Sequence, residues 1–170
     1  MTQGVVLLAA NKRSYAFFAY NLAMSIKFHN PNIKIALLHD HCIENLWKDD
    51  LAVFDELIPL NTEEMLYNGR FNAGKVKVEI YDKLPFDENI YLDVDALCFQ
   101  DLQPMIDELS ALGGDYYCRL YGTANLDDAS THHFMQWVDP NKIYDKYLLD
   151  KSKGLQCPNT SLQFIRKSDT

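Results

Sequence analysis

Asn89-Ile-Tyr-Leu-Asp-Val-Asp95 is a run of β-favouring apolar residues that carries two carboxylates to its own end. The turn cluster Pro85-Phe-Asp-Glu-Asn89 precedes it, so the run reads as a buried strand. Side chains alternate along a strand, which predicts Asp93 and Asp95 on the face of Tyr91, with Ile90, Leu92 and Val94 opposite. Two ionised carboxylates this close repel, so a cation must compensate them or a pKa must rise. Oxygen ligands of this kind suit a hard divalent ion, Mg2+ or Mn2+. A strand end with two solvated acids is the plainer alternative.

The flanks point to an α/β chain. Gly4-Val-Val-Leu-Leu-Ala-Ala10 is a continuous apolar run, as for a strand covered on both faces. Ser14 is expected to cap a helix to about His29, with Phe18, Leu22, Ser25 and Ile26 as its inner stripe. Asn30-Pro-Asn32 stops it, and Ile33 to Leu38 is a second strand ending at His39-Asp40. A short helix from Ile43 to Phe54 and a strand from Glu56 to Leu60 follow. Asn61 to Gly69 reads as a polar connection, and Arg70 to Leu84 as a helix buried through Ala73, Val76, Ile80 and Leu84. Beyond the central strand, a helix from Pro104 to Leu112 ends at Gly113-Gly114, and Asp115 to Tyr121 is a strand. Asp127-Asp128 and Ser130-Thr-His-His133 read as loop, Pro140 to Leu149 as a helix, and Leu162 to Ile165 as a last short strand. Adjacent histidines diverge, so His132 and His133 make a poor metal pair. The alternation predicts a three-layer α/β/α domain, 1–170, with a mostly parallel central sheet. Ligands of such sheets sit beyond the carboxyl ends of the strands, where Asn11, Asp40, Asp93 and Asp95 would converge.

Composition narrows the partners. With 48% apolar and 24% charged residues over 170, the chain has the makeup of one ordinary globular domain. A net charge of −8 argues against nucleic acid or an anionic membrane as a general partner. Cys42, Cys98, Cys118 and Cys157 are widely spaced, which fits reduced thiols better than a zinc site or a disulfide framework. No run is long and apolar enough to span a membrane, and a cytoplasmic location is the expectation.

The segment Lys77-Val-Glu-Ile-Tyr-Asp-Lys-Leu-Pro-Phe-Asp-Glu-Asn-Ile-Tyr-Leu-Asp-Val-Asp-Ala96 resembles the heart of a GT-A fold glycosyltransferase of the glycogenin-like family, glycosyltransferase family eight. The opening strand and Asn30-Pro-Asn-Ile-Lys-Ile-Ala-Leu-Leu38 are similar too, and Pro158-Asn-Thr-Ser-Leu-Gln-Phe-Ile165 resembles a later family segment. The resemblance implies a metal-dependent hexosyltransferase acting on a UDP-sugar donor and a saccharide or other hydroxyl acceptor. Asp93 and Asp95 would hold Mn2+ or Mg2+ against the diphosphate, with Asp93 also near the ribose or donor sugar. Lys77, or its neighbour Lys75, would reach the phosphates or the sugar. Ala9, Ala10, Asn11 and Tyr15 would line the base pocket, and Asn159 would face donor sugar or acceptor. The family's Asn-Ser/Ala-Gly is here Asn159-Thr-Ser161. Relatives carry a further segment with a third metal ligand, usually His, so the chain is expected to be a truncated piece of a longer enzyme.

Three other readings stay beside this one. A sugar-phosphate nucleotidyltransferase shares strand-end acids but puts a glycine-rich basic loop after the first strand, and Ala9-Ala-Asn-Lys-Arg13 has no glycine. A receiver-like domain needs an acid pair where this chain has Asn11. A nucleotide-binding fragment without activity is the third.

Overall fold

Both faces of one apolar strand set the layers. In the computed structural model, which describes residues 1–61, 63–124 and 155–167, strand β1 (Gln3–Ala9) sends Val5, Leu7 and Ala9 to one side and Val6 and Leu8 to the other. Helix α1 (Arg13–His29) covers the first side, and β2 (Lys34–His39) lies parallel to β1 with Val5 opposite Ile35. A 3-10 turn at His41–Asn45 and a one-turn helix α2 (Lys48–Leu51) lead to β3 (Glu56–Pro59). A small hairpin, β4 (Leu66–Tyr67) with β5 (Arg70–Phe71), precedes α3 (Ala73–Val78) and a 3-10 turn at Ile80–Lys83. Then come β6 (Glu88–Leu92), α4 (Gln103–Ala111), β7 (Tyr116–Ala124) and β8 (Leu155–Arg166). The six-stranded sheet runs β3-β2-β1-β6-β8-β7, parallel from β3 to β6, with β8 antiparallel to β6. This is the α/β sheet, mostly parallel and layered by helices, that the strand–helix alternation predicts.

Several elements differ from the sequence expectation. Lys12, not Ser14, is the N-cap of α1, and no side chain caps it. Its inner stripe is Ala16, Ala19, Leu22, Ala23 and Ile26, while Phe18 points outward. Small residues let the helix lie close to the sheet, and this, beyond the spacing alone, decides which stripe is buried. The expected helix from Ile43 to Phe54 is broken into two short turns. Arg70 and Phe71 belong to the hairpin instead of the next helix, whose true start is set by Asn72 accepting from the Lys75 amide at 3.0 Å. Asn68 and Gly69, with φ of 51° and 73°, make the tight turn that a two-residue hairpin demands. The last strand begins at Leu155, so Cys157 to Ser161 is strand and not an approach loop. The expected loops at Asp127-Asp128 and Ser130 to His133, and the helix from Pro140 to Leu149, lie outside the described residues.

The chain divides into two compact units, Met1–Tyr117 with Thr160–Thr170, and Cys118–Asn159. The first holds the core. Val5, Leu7, Ile90 and Phe164 pack with α1 and with Ile106 of α4 on one face. Val6, Leu8, Tyr91 and Ile165 pack with Val76, Ile80 and Leu84 on the other. Of the second unit, the described parts are the end of β7 and the start of β8. No helix among the described residues is long and apolar enough to cross a membrane.

Candidate active site

The chain winds outward through β1, β2 and β3 and then returns to the other side of β1 as β6, so β1 and β6 flank the point where strand order reverses. Crevices open at such points, beyond the carboxyl ends of the strands. Here the opening is visible in the register. β1 and β6 stay paired as far as Leu7 and Leu92, after which β1 continues along β2 to Ala9 opposite His39. The Asp93 amide turns the other way and donates to Ser161 O at 2.9 Å.

An open cleft of about 170 Å3 fills the gap. Leu8 and Ala10 from β1 and its exit, Tyr15 from α1, Phe71 from the hairpin, and Ala73 and Lys77 from α3 form part of its wall. Tyr91, Asp93, Val94 and Asp95 form the rest. Strand β6 ends at Leu92, so Asp93 and Asp95 stand on the exit turn and not on the strand itself. The turn still presents both carboxylates to the cleft shared with Tyr91.

Three groups meet at one oxygen. Lys77 Nζ lies 2.5 Å from Asp93 Oδ1, and the Tyr91 hydroxyl donates to the same atom at 2.9 Å. The ammonium also sits 5.6 Å from the centre of the Tyr91 ring, within cation–π range. Tyr91 is nearly fully buried, and burial, with the charges of Asp93 and Asp95, pushes its phenol well above its ordinary range. It is therefore a permanent hydrogen-bond donor at any physiological pH. Asp95 is exposed and has no hydrogen bond or ion pair of its own among the described residues.

Of the residues singled out in the sequence, Ala10, Tyr15, Lys77, Asp93 and Asp95 share this cleft. Ala9 is fully buried in the core beneath it. Lys75 pairs with Glu79 at 2.6 Å along the helix. Asn159 belongs to β8 in the second unit. Asn11 and Asp40 do meet at the strand ends, but they are tied to each other. The Asn11 amide donates to Asp40 Oδ2 at 2.7 Å, and the Cys42 amide to Asp40 Oδ1 at 2.8 Å. Asn11 takes a φ of 74°, a left-handed conformation that Asn tolerates better than most residues. Burial raises the Asp40 pKa, but the hydrogen bonds from Asn11 and Cys42 outweigh it and hold the carboxyl below its ordinary value. Its work is to fix the β1–α1 connection. Asp40→Ala leaves two amides without their acceptor and should cost about 2 kcal/mol, read as a lower urea midpoint at unchanged slope.

Phe71 and Ala73 are wall residues that the sequence reading did not assign to the site, and Tyr91, which it placed on the face of the two acids, was given no role there. Asn68-Gly69 between short β-favouring stretches was the available signal for the hairpin that brings Phe71 in.

No protein-family model and no curated protein matches the sequence. Solved structures do match the fold. Mouse xyloside xylosyltransferase 1 aligns with a TM-score of 0.59 at 10% identity, over 98% of this chain and 67% of that one. The galactosyltransferase LgtC, solved with donor and acceptor sugar analogs, aligns with a TM-score of 0.56 at 16% identity, over 96% of this chain and 57% of that one. The bifunctional glycosyltransferase WbbM aligns at 0.55 and 11%, over 97% of this chain and 31% of that one. The chain has the GT-A glycosyltransferase fold. It spans a little over half the length of LgtC and under a third of WbbM.

The donor set around the cleft suits one kind of cation. Asp93 and Asp95 offer hard oxygens to a common space, and among the described residues no cluster of three or more His, Cys, Asp or Glu could cage an ion. Mg2+ and Mn2+ are commonly held in this way, by one or two carboxylates together with the phosphates of a substrate.

Proposed function

We propose that this chain is a metal-dependent glycosyltransferase, of the glycogenin-like kind, that moves a hexose from a UDP-sugar to a hydroxyl acceptor. One observation carries the reading. In a glycosyltransferase fold, the cleft at the strand-order reversal is walled by one lysine and two carboxylates, Lys77, Asp93 and Asp95. Asp93 and Asp95 would hold Mn2+ or Mg2+, which when bound supplies Lewis-acid stabilisation of a leaving diphosphate. Lys77 would bind phosphate oxygens beside them, countering the charge that develops there. Tyr15, with Ala10 as a small neighbour, would offer a flat surface for the base.

Calorimetry tests the reading directly. UDP, UDP-glucose, UDP-galactose and sugar 1-phosphates are titrated into the protein with Mn2+ and again with EDTA. The expected result is binding of UDP and a UDP-sugar that disappears on chelation. Binding of nucleoside triphosphates with no preference for UDP would turn the assignment to a nucleotidyltransferase. No binding at all would sink it.

A further inference from the structure

The ion pair inside the cleft raises a question of occupancy. Lys77 Nζ already sits 2.5 Å from one oxygen of the carboxylate assigned to the metal. Its side chain is only 18% exposed and leans over the Tyr91 ring, so this is a seated cation and not a waving surface lysine. A divalent ion bound to Asp93 would stand within a few ångströms of that ammonium, and two cations so close repel strongly in a half-buried site. The charge count says the same. Asp93, Asp95 and Lys77 together carry −1; a divalent ion alone would turn this to +1 while sharing an oxygen with an ammonium. A diphosphate changes the balance, because its oxygens accept both cations at once.

We propose that Lys77 is the resident counter-ion of Asp93 in the nucleotide-free protein, and that it is exchanged off Asp93 only when a diphosphate arrives to receive it. The inference rests on the donor-site reading above and adds a coupling to it: metal and diphosphate bind as a linked pair, each weak without the other. Tyr91 makes the exchange practicable. Its hydroxyl stays on Asp93 Oδ1 when Lys77 leaves, so the carboxylate keeps its orientation. Lys77 stands on α3 and Asp93 on the turn after β6, so rotation about the lysine's own side-chain bonds moves Nζ without moving either element. The coupling is reciprocal by thermodynamic necessity, so the diphosphate should tighten metal binding by the same factor that metal tightens the diphosphate.

The test follows free Mn2+ by electron paramagnetic resonance as protein is added, with and without saturating UDP. Wild type, Lys77→Met and Lys77→Arg are compared, and each variant's thermal midpoint confirms that it is folded. In wild type, UDP should tighten Mn2+ binding by about tenfold or more. Lys77→Met should bind Mn2+ about tenfold more tightly than wild type when no nucleotide is present, and should lose most of the enhancement by UDP. Lys77→Arg keeps a counter-ion and should behave as wild type in the nucleotide-free titration. A lysine that merely braces the fold would not produce tighter metal binding when removed. If UDP and Mn2+ bind but Lys77→Met leaves nucleotide-free Mn2+ affinity unchanged or weaker, the exchange is wrong and the donor site stands. If wild type binds no Mn2+ even with UDP, both fall together.

Discussion

Replacing Glu88 by alanine should cost the protein about 3–5 kcal/mol, a large share of the 5–15 kcal/mol that holds a domain of this kind together. Glu88 opens β6 and its side chain is 0% exposed. Four donors close on it. Gln3 Nε2 reaches Oε2 at 2.7 Å; Ser110 Oγ at 2.7 Å and Arg166 Nε and Nη2 at 3.0 and 2.8 Å reach Oε1. Arg166 also donates to the Ser110 and Gly114 carbonyls, so one buried pair joins β1, β6, β8 and the end of α4. Alanine removes the anion and leaves the guanidinium, only 18% exposed, without a counter-charge. That orphaned charge accounts for most of the expected loss. A double variant, Glu88→Met with Arg166→Met, removes both charges and should cost markedly less than the two single changes summed. Equal costs, read from urea titrations, would show that the pair is not coupled.

The same site gives the acid limb a direction. Burial raises the Glu88 pKa, but the bonds from Gln3, Ser110 and Arg166 and the charge of Arg166 overcome it, so the folded value lies below the ordinary 4.5. The unfolded chain therefore takes up this proton first as pH falls. The contribution of Glu88 is complete above about pH 4.5 and is lost as pH drops from there through the lower folded value. Unfolding free energy measured from pH 7 to 3 should fall less steeply in Glu88→Gln than in wild type.

What the sequence made legible follows physical range. Strand alternation along Ile90 to Leu92 and the apolar run of β1 are local patterns, and they placed the two acids at a strand end; the reversal of strand order between β1 and β6 is topology that only the folded sheet shows. Glu88 was hidden in a turn-like cluster because its partner Arg166 is 78 residues away, and no local rule pairs them. Phe18 was misplaced because three- and four-residue spacing leading to Leu22 and Ile26 admits more than one stripe, and close packing of Ala16, Ala19 and Ala23 decided which face turned inward. Asp40 looked like a ligand at a strand end. Two backbone amides had already claimed it, which only the geometry of the β1–α1 connection reveals.

The second large effect separates binding from folding at the cleft. Asp95→Asn should abolish Mn2+-dependent UDP binding, by at least on the order of 100-fold, since removing partners behind a metal ligand alone costs 10–100-fold. Stability should stay within about 0.5 kcal/mol, because Asp95 is exposed and makes no hydrogen bond or ion pair among the described residues. Asp93→Asn should lose binding to a similar degree but also lower stability by about 0.5–1 kcal/mol, as the Lys77 pair, 18% and 27% exposed, is broken in a partly screened setting. Asparagine retains an oxygen for the Tyr91 hydroxyl, which keeps the second cost small. The contrast is the test. If Asp95→Asn binds UDP and Mn2+ like wild type, Asp95 is a solvated acid and the cation, if any, belongs to Asp93 alone. If instead both variants unfold together, the two acids serve the turn after β6. Loss of binding in Asp95→Asn at unchanged stability leaves one account: a carboxylate that does nothing for the fold is kept at the mouth of the cleft to hold a ligand.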